Sequence, residues 1–449
     1  MPDARVGRRP PGPNIVELGW LSLRHAADPF ALLPQIASRY GDVVDLPVPM
    51  LGSTTTLLSH PDHVEHIFVR DHSRYHRHHL TSQLVPGEPD VLPVLEGEEW
   101  RRWRRPLNPH FGEEALAARS RSMAAAVSAG MDAWAPYTTS GQWIDLEHEL
   151  GAVVMDALLR SMFSTVLDPE TLGRYVDAAR DLGKYTIGRA LMSAFPRFLP
   201  RPFQRRGEAA QRTFLGELDK LIVRRQAEGP RDVPDILDAL MGMTFDGCPQ
   251  MAYRRLRTEL SSLVFAGFET TAESVSWCLA LLHDNTSALA KAYAEVDALA
   301  GAPIEYATLA QLPFVRACFD EALRTEAPPG ILRTAAEDDT IDGYHIPKGS
   351  HVLVSPFGLH RDSRFWSRPE EFEPSRFLTG KINRNAYIPF GIGPRKCLGW
   401  RLAYIDGLMT LAAVLQRYTI EIRPGWKPKP TLRISTGLVD GFPVCLTTR

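Results

Sequence analysis

Between about residues 97 and 330, apolar side chains recur at the three- and four-residue spacing of helices buried along one face. The period breaks at proline-rich points such as Phe195-Pro196-Arg197-Phe198-Leu199-Pro200-Arg201-Pro202, so this stretch reads as a helical body of several helices. Upstream, between about 30 and 90, runs such as Asp42-Val43-Val44-Asp45-Leu46 and Thr54-Thr55-Thr56-Leu57-Leu58 read as strands among short helices. Strand-like runs return between about 330 and 449, at Ile341-Asp342-Gly343-Tyr344-His345-Ile346 and His351-Val352-Leu353-Val354. A long apolar helix is expected from Leu398, with short strands after it. The pattern predicts a mainly α fold with a smaller β region. No internal repeat, low-complexity linker or second composition regime divides residues 1–449, so a single domain is expected.

Two stretches break the rules of the elements that contain them. From Arg254 to His283 the helical period runs without proline for about eight turns, long enough at ~1.5 Å per residue to cross a domain. Inside it lies Ala266-Gly267-Phe268-Glu269-Thr270-Thr271. A glycine inside a helix costs about 1 kcal/mol against alanine, and a local rule broken in a core helix marks a place where function is expected. Ala266 and Thr270, four apart, share a face, and a threonine hydroxyl there can bond back to the preceding turn. The plainer alternative is a kinked helix with Thr270 satisfied by its own backbone and Glu269 in a surface ion pair. The second stretch is Phe390-Gly391-Ile392-Gly393-Pro394-Arg395-Lys396-Cys397-Leu398-Gly399. Its glycines allow a close backbone approach to a flat partner. A thiol at a helix N-terminus beside Arg395 and Lys396 favours the thiolate, a metal ligand. The alternative there is a half-buried structural cysteine.

Composition narrows the classes. A net charge of −2 over 449 residues, 44% of them hydrophobic, points to neither nucleic acid nor an anionic membrane. The five cysteines, at 248, 278, 318, 397 and 445, are an odd, scattered set without a Cys-x-x-Cys pair, which argues against a zinc knuckle or disulfide framework and for a reducing cytoplasm. The opening Arg8-Arg9-Pro10-Pro11-Gly12-Pro13 follows no apolar leader or run of roughly 20 apolar residues, so a cytoplasmic protein without a membrane anchor is expected. Histidines at 60, 63, 66, 72, 76, 78, 79 and 110 invite a metal reading. Tyr75-His76-Arg77-His78-His79 carries positive charge and no carboxylate, however, and is expected to be a solvated loop. No Gly-x-Ser-x-Gly elbow, His-Glu-x-x-His pair or phosphate loop occurs.

The cysteine string resembles the haem-binding signature of the cytochrome P450 family, Phe-Gly-x-Gly-x-Arg-x-Cys-x-Gly, at every specified position. Ala266–Thr271 resembles the family's oxygen-activation segment. By motif order the resemblance covers the chain from about Pro10 to its end and implies one P450 catalytic domain around a buried haem b (iron protoporphyrin IX). It implies that Cys397 is the axial ligand of the iron, that Thr270 hydrogen-bonds dioxygen or its water, and that Glu269 relays protons. Trp100 and Arg104, matching a Trp-x-x-x-Arg helix, Arg333 after Pro328-Pro329-Gly330, and Arg395 are implied to hold the propionates. Phe390, Gly391, Gly399 and Ala266 are implied haem contacts. Glu321-Ala322-Leu323-Arg324 and Phe372-Glu373-Pro374-Ser375-Arg376-Phe377 resemble the family's Glu-x-x-Arg and Pro-x-Arg-Phe motifs, so Glu321, Arg324 and Arg376 are implied to form a buried structural cluster behind the haem loop.

The chain departs from the family at Asp406, where glutamate is more usual after Gly399 and Ala403, and at Thr325-Glu326-Ala327. Substrate contacts are implied in the Tyr75–Leu95 loop, the Tyr185–Phe195 region, Ala266, Ile331, Leu332, Leu438 and Val439, a mostly apolar set that suits a lipophilic small molecule. Arg101, Arg102, Arg105, Lys396 and Arg401 would form a docking patch for an acidic redox partner. The implied activity is a monomeric haem-thiolate monooxygenase fed with electrons from NAD(P)H through a ferredoxin or flavodoxin and its reductase. An Arg/Ala/Leu-rich composition associates it with secondary-metabolite biosynthesis in a bacterium. A peroxide-driven peroxygenase or other non-monooxygenase haem enzyme on the same fold, such as an isomerase-like one, and a haem-binding sensor or carrier without turnover are the alternatives; the intact Glu269-Thr270 pair favours the monooxygenase.

Overall fold

The computed structural model describes residues 8–26, 28–48, 54–77, 91–192, 204–243, 249–433 and 435–449. The chain forms two compact units, each assembled from separate stretches. The first comprises 1–79, 323–372 and 381–397; the second comprises 80–322, 373–380 and 398–449.

In the first unit the early and late strand regions join. Five strands lie in the order Val43–Leu46, Thr55–Leu58, His351–Val354, Ile331–Ala335, Tyr75–Arg77. Only the contact of Thr55–Leu58 with His351–Val354 is parallel, in the register Thr55↔His351; the other neighbours are antiparallel. Both faces are covered. Val43 and Leu58 pack with Val64, Ile67, Phe68 and Ile388, whereas Val44 and Leu57 pack with Leu21 and Ile36. This explains why the adjacent positions Val43-Val44 and Leu57-Leu58 are both apolar, without the alternation of a one-sided sheet. Ile341–Ile346, expected as one strand, is two: Asp339–Ile341 and Tyr344–Ile346 fold back on each other. Asp342 and Gly343, at φ +50° and +78°, make the tight turn between them that an Asp-Gly pair favours.

The second unit is helical. Its longest helix, Pro249–Asp284, exceeds the expected span by a turn at its start, where a proline lacks only an amide that no helix would use. It packs on Leu146–Phe163, a helix buried along most of its surface. Gly267 is explained by that packing: a Cβ at this position would lie 3.1 Å from Leu158 Cδ1. Helices Glu113–Ala133, Pro169–Met192 and Gln204–Glu228 complete the body. The last long helix is Trp400–Arg417, starting two residues later than expected because Leu398 and Gly399 form the turn into it. Tyr418–Ile422, Pro443–Thr448 and Ile144–Asp145 form a three-stranded sheet, and Pro430–Leu432 with Thr436–Leu438 forms a hairpin.

Candidate functional site

The cysteine loop is shaped by its backbone. Gly391 and Gly393 adopt φ +66° and +76°, in the left-handed region that only glycine enters without strain. A Cβ on Gly393 would fall 1.8 Å from the carbonyl oxygen of Phe68, so the loop can seat against that segment only with glycine there. The Cys397 amide donates to the Phe390 carbonyl at 2.9 Å and the Lys396 amide to the Gly393 carbonyl at 3.0 Å. This closes the loop and leaves Cys397 exposed, whereas Cys278 and Cys318 are buried and their thiols are raised in pKa by that burial. Phe390, Gly391 and Arg395 are half-buried, and the Arg395 carbonyl accepts from Arg77 at 3.5 Å. Arg333, in the strand beside Tyr75–Arg77, is 5% exposed. Its guanidinium lies 5.0 Å from the centre of the Phe68 ring.

On the central helix of the second unit, Ala266 is exposed and Thr270 half-buried, while Phe265, Phe268 and Glu269 around them are buried. The Thr270 hydroxyl donates to the Ala266 carbonyl at 2.8 Å, the backbone bond its position allows. Glu269, in contrast, is not in a surface ion pair: it is 5% exposed, and its Oε2 has no hydrogen-bond partner among the described residues. Burial raises its pKa above the usual carboxyl range, against the opposing pull of Arg433 and Arg180. Trp100 and Arg104 are half-buried on the helix Gly97–Leu107, where Arg104 also donates to Asn108 at 2.8 Å. Gly399 caps the last long helix.

The supporting charges are buried. Arg376 Nε donates to Glu321 Oε1 at 3.0 Å, and the Glu373 amide donates to the same oxygen at 2.8 Å. Arg324, fully buried, donates to the carbonyls of His360 and Pro369 at 2.7 and 2.8 Å and to that of Glu371 at 3.1 Å. Among the substrate-side residues, Ile331 and Leu332 are half-buried and Val439 is 38% exposed. Leu438 has no exposed surface and packs as core. Residues 78–90 of the Tyr75–Leu95 loop, 193–195 of the Tyr185–Phe195 region, and Cys248 lie outside the described residues. Arg101, Arg102, Arg105 and Arg401 are exposed and Lys396 is half-buried.

Tyr75–Arg77, expected as part of a solvated loop, is a strand with Tyr75 buried and His76 exposed, and the histidines before it have structural partners. His63, 4% exposed, meets Asp342 at 2.7 Å, and His66 meets Asp339 at the same distance. His60 caps the short helix Pro61–Glu65, and His78 and His79 lie outside the described residues.

Sequence reasoning missed three positions. His360 is fully buried between the Arg324 carbonyl, 3.1 Å from Nδ1, and the Ile388 amide, which donates to Nε2 at 2.8 Å. Burial pushes its pKa down to about 3, so it is neutral. Glu259, 1% exposed, accepts from the Leu92 amide at 2.9 Å and is pushed up to about 8 by burial. Arg433 binds Glu147 and Glu273. The partners lie far apart in sequence, so spacing carries no signal for them. Only the pairing of Glu269 with Glu273 one turn later was open to view.

The family model of cytochrome P450 matches residues 9–440. The chain belongs to the cytochrome P450 family. It is 29% identical over 452 residues to cyclooctatin synthase of Streptomyces melanosporofaciens, covering 98% of this chain and 97% of that one. It is 27% identical to Cytochrome P450 4A11 of Homo sapiens, over 85% of this chain and 78% of that one, and 28% identical to Cytochrome P450 4A24 of Sus scrofa, over 80% and 75%. As a member of this family it is a mainly helical, haem b-dependent monooxygenase. The residues present fit that group. The first unit offers an exposed thiol on a loop fixed by its backbone and a buried guanidinium at Arg333; the second leaves a small side chain, Ala266, open midway along a buried helix. Among the described residues no helix is long and apolar enough to cross a membrane.

Proposed function

We propose that Cys397 would hold the haem iron through its thiolate and that the protein transfers one oxygen atom from dioxygen to a lipophilic small molecule. The observation that carries this reading is the pairing, midway along the central helix, of a buried acid, Glu269, with a half-buried alcohol, Thr270. Haem b, when bound, supplies the activation of dioxygen and the insertion of one oxygen atom.

The chain's own residues bind, orient and deliver protons. Cys397 donates electron density through its sulfur, and the closed Gly391–Gly393 loop fixes where that sulfur sits. Arg333 and Arg395 in the first unit, and Arg104 and the Trp100 indole in the second, are the groups that would hold the two propionates. Thr270 exchanges its Ala266 carbonyl bond for one from Oγ1 to a water or oxygen at the site, and Glu269, held above the ordinary carboxyl range by burial, carries the proton that follows. Glu321, Arg324 and Arg376 keep the loop's surroundings rigid. Ile331 and Leu332 in the first unit, and Ala266 and Val439 in the second, are the substrate-side candidates, an apolar set suited to a lipophilic ligand.

Electrons come from NAD(P)H through a ferredoxin or flavodoxin and its reductase, docking at the exposed arginines 101, 102, 105 and 401. The protein acts as a monomer in the cytoplasm. A biosynthetic role is supported by the relative whose name is that of a synthase. A ligand screen that follows the haem's low-spin to high-spin shift, with product analysis in a reconstituted reductase and ferredoxin system, tests the reading. Oxygenated product dependent on NADPH and dioxygen is expected; product with peroxide alone, and none with dioxygen and the reductase pair, would make it a peroxygenase.

A further inference from the structure

Behind Thr270 the second unit gathers an unusual density of buried charge. Glu269 and Glu273 lie one turn apart on one face of the central helix, 5% and 1% exposed. Glu147, 2% exposed, comes from the first turn of Leu146–Phe163. Arg433, from the turn of the hairpin Pro430–Leu438, reaches both helices. Its Nη1 donates to Glu147 Oε1 at 2.8 Å and to Glu273 Oε1 at 3.2 Å; its Nη2 donates to Glu147 Oε2 at 3.3 Å and to the Leu438 carbonyl at 3.2 Å. The Ser435 hydroxyl bonds Glu273 Oε2. From the helix Pro169–Met192, Arg180 Nη2 lies 3.6 Å from Glu147 and 3.7 Å from Asp145. Its neighbour Gly183 leaves room for Glu269: a Cβ there would sit 2.9 Å from Oε2. Lys184, the next residue, is exposed at the edge of the cluster.

Four carboxyls therefore face two guanidiniums, with one lysine at the solvent edge. Glu147 is matched by both arginines, and Asp145 by Arg180 and the Phe442 amide at 2.8 Å. Glu269 and Glu273 are left with one hydroxyl and one shared edge of Arg433, while Glu269 Oε2 has no partner among the described residues. Two buried carboxylates one turn apart, so thinly compensated, do not both ionise.

We propose that Glu269 and Glu273 hold one proton between them at neutral pH, stored one residue from Thr270, and that Arg433 is the positioning residue that limits the pair to a single proton by pinning Glu273 to Glu147. The pair titrates as a unit, and its last proton is the one available to the alcohol. A proton passed on is replaced from solvent at the Lys184 edge. The inference deepens the reading of Glu269-Thr270 as the proton-delivery pair and rests on it.

The test is made on the ferric holoenzyme by infrared difference spectroscopy, wild type minus the Glu269→Gln/Glu273→Gln double variant. A protonated-carboxyl carbonyl band at neutral pH, absent from the double variant, is expected. Glu273→Gln removes the like charge, so the band and the alkaline limb of coupled turnover should move down by about one pH unit or more; Arg433→Met should move both upward. If wild type and double variant show the same carboxyl bands, both glutamates are ionised and the shared proton does not exist. An unshifted band and limb in Glu273→Gln would equally overturn the pairing. Failure of the delivery reading itself shows elsewhere: Thr270→Ala would leave coupled turnover intact while the infrared band stayed in place.

Discussion

The Thr270 hydroxyl is spoken for by the Ala266 carbonyl at 2.8 Å, so any role at the site requires it to trade that bond for another of similar strength. Removing the hydroxyl leaves the helix intact and, on the proposed reading, takes away the proton's last carrier. Thr270→Ala is expected to keep the substrate-induced spin shift, to lower coupled product formation on the order of 10²-fold, and to divert electrons to peroxide. Product per NADPH, with peroxide measured alongside, checks this. Asp406 is the other residue whose chemistry stands out. Buried on the last long helix, it is pushed up to about 8 from the ordinary 3.8 by burial, partly offset by the Thr410 hydroxyl. A carboxyl raised on folding is held as the acid more tightly in the folded chain. Its contribution to stability is therefore complete below the ordinary 3.8 and is lost as pH rises through about 8. Urea midpoints of Asp406→Asn across that window should fall less with rising pH than those of wild type; parallel slopes would mean that Asp406 is ionised in the fold.

At the scale of elements, the loop that carries Cys397 depends on Phe68, a neighbour that contributes no chemistry. Gly393→Ala would force a Cβ into the Phe68 carbonyl at a left-handed φ, and the expected outcome is a protein that folds poorly or binds little haem, read as the ratio of haem to protein absorbance. Glu321 and Arg376 are a buried pair, 0% and 10% exposed, with the Glu373 amide on the same oxygen. Removing the arginine leaves a buried carboxylate unmatched, so Arg376→Ala should cost roughly 3–5 kcal/mol in denaturant unfolding. Replacement by lysine should recover part of that loss, but lysine cannot reproduce the guanidinium's planar set of donors. These motif residues were legible because their chemistry demands fixed local spacing: an acid three residues before an arginine, and two glycines two positions apart with the cysteine four residues after the second. His360 was not legible. Its partners, Arg324 and Ile388, lie 36 residues before it and 28 after it, and only the folded chain brings them together.

At the scale of the whole molecule, the helical body and the strand regions followed from the period of the apolar residues, and the family match over 9–440 agrees with the motif order. The period did not disclose that Thr55–Leu58 pairs in parallel with His351–Val354, nearly 300 residues away, because pairing between distant strands leaves no local trace. Nor did it disclose the division into two compact units, whose borders carry no change in composition. The same blindness to long-range contacts hid Arg433, whose partner Glu147 is 286 residues earlier. The central proposal is that Cys397 supplies the thiolate that would ligate the haem. The most direct test is the absorption spectrum of the reduced, carbon monoxide-bound holoenzyme, recorded under conditions where circular dichroism shows the protein folded. The strongly red-shifted Soret band of a thiolate-ligated haem is expected, and it should be lost in Cys397→His. A band at the ordinary histidine-haem position in folded wild-type protein would contradict the assignment of Cys397 as the axial ligand.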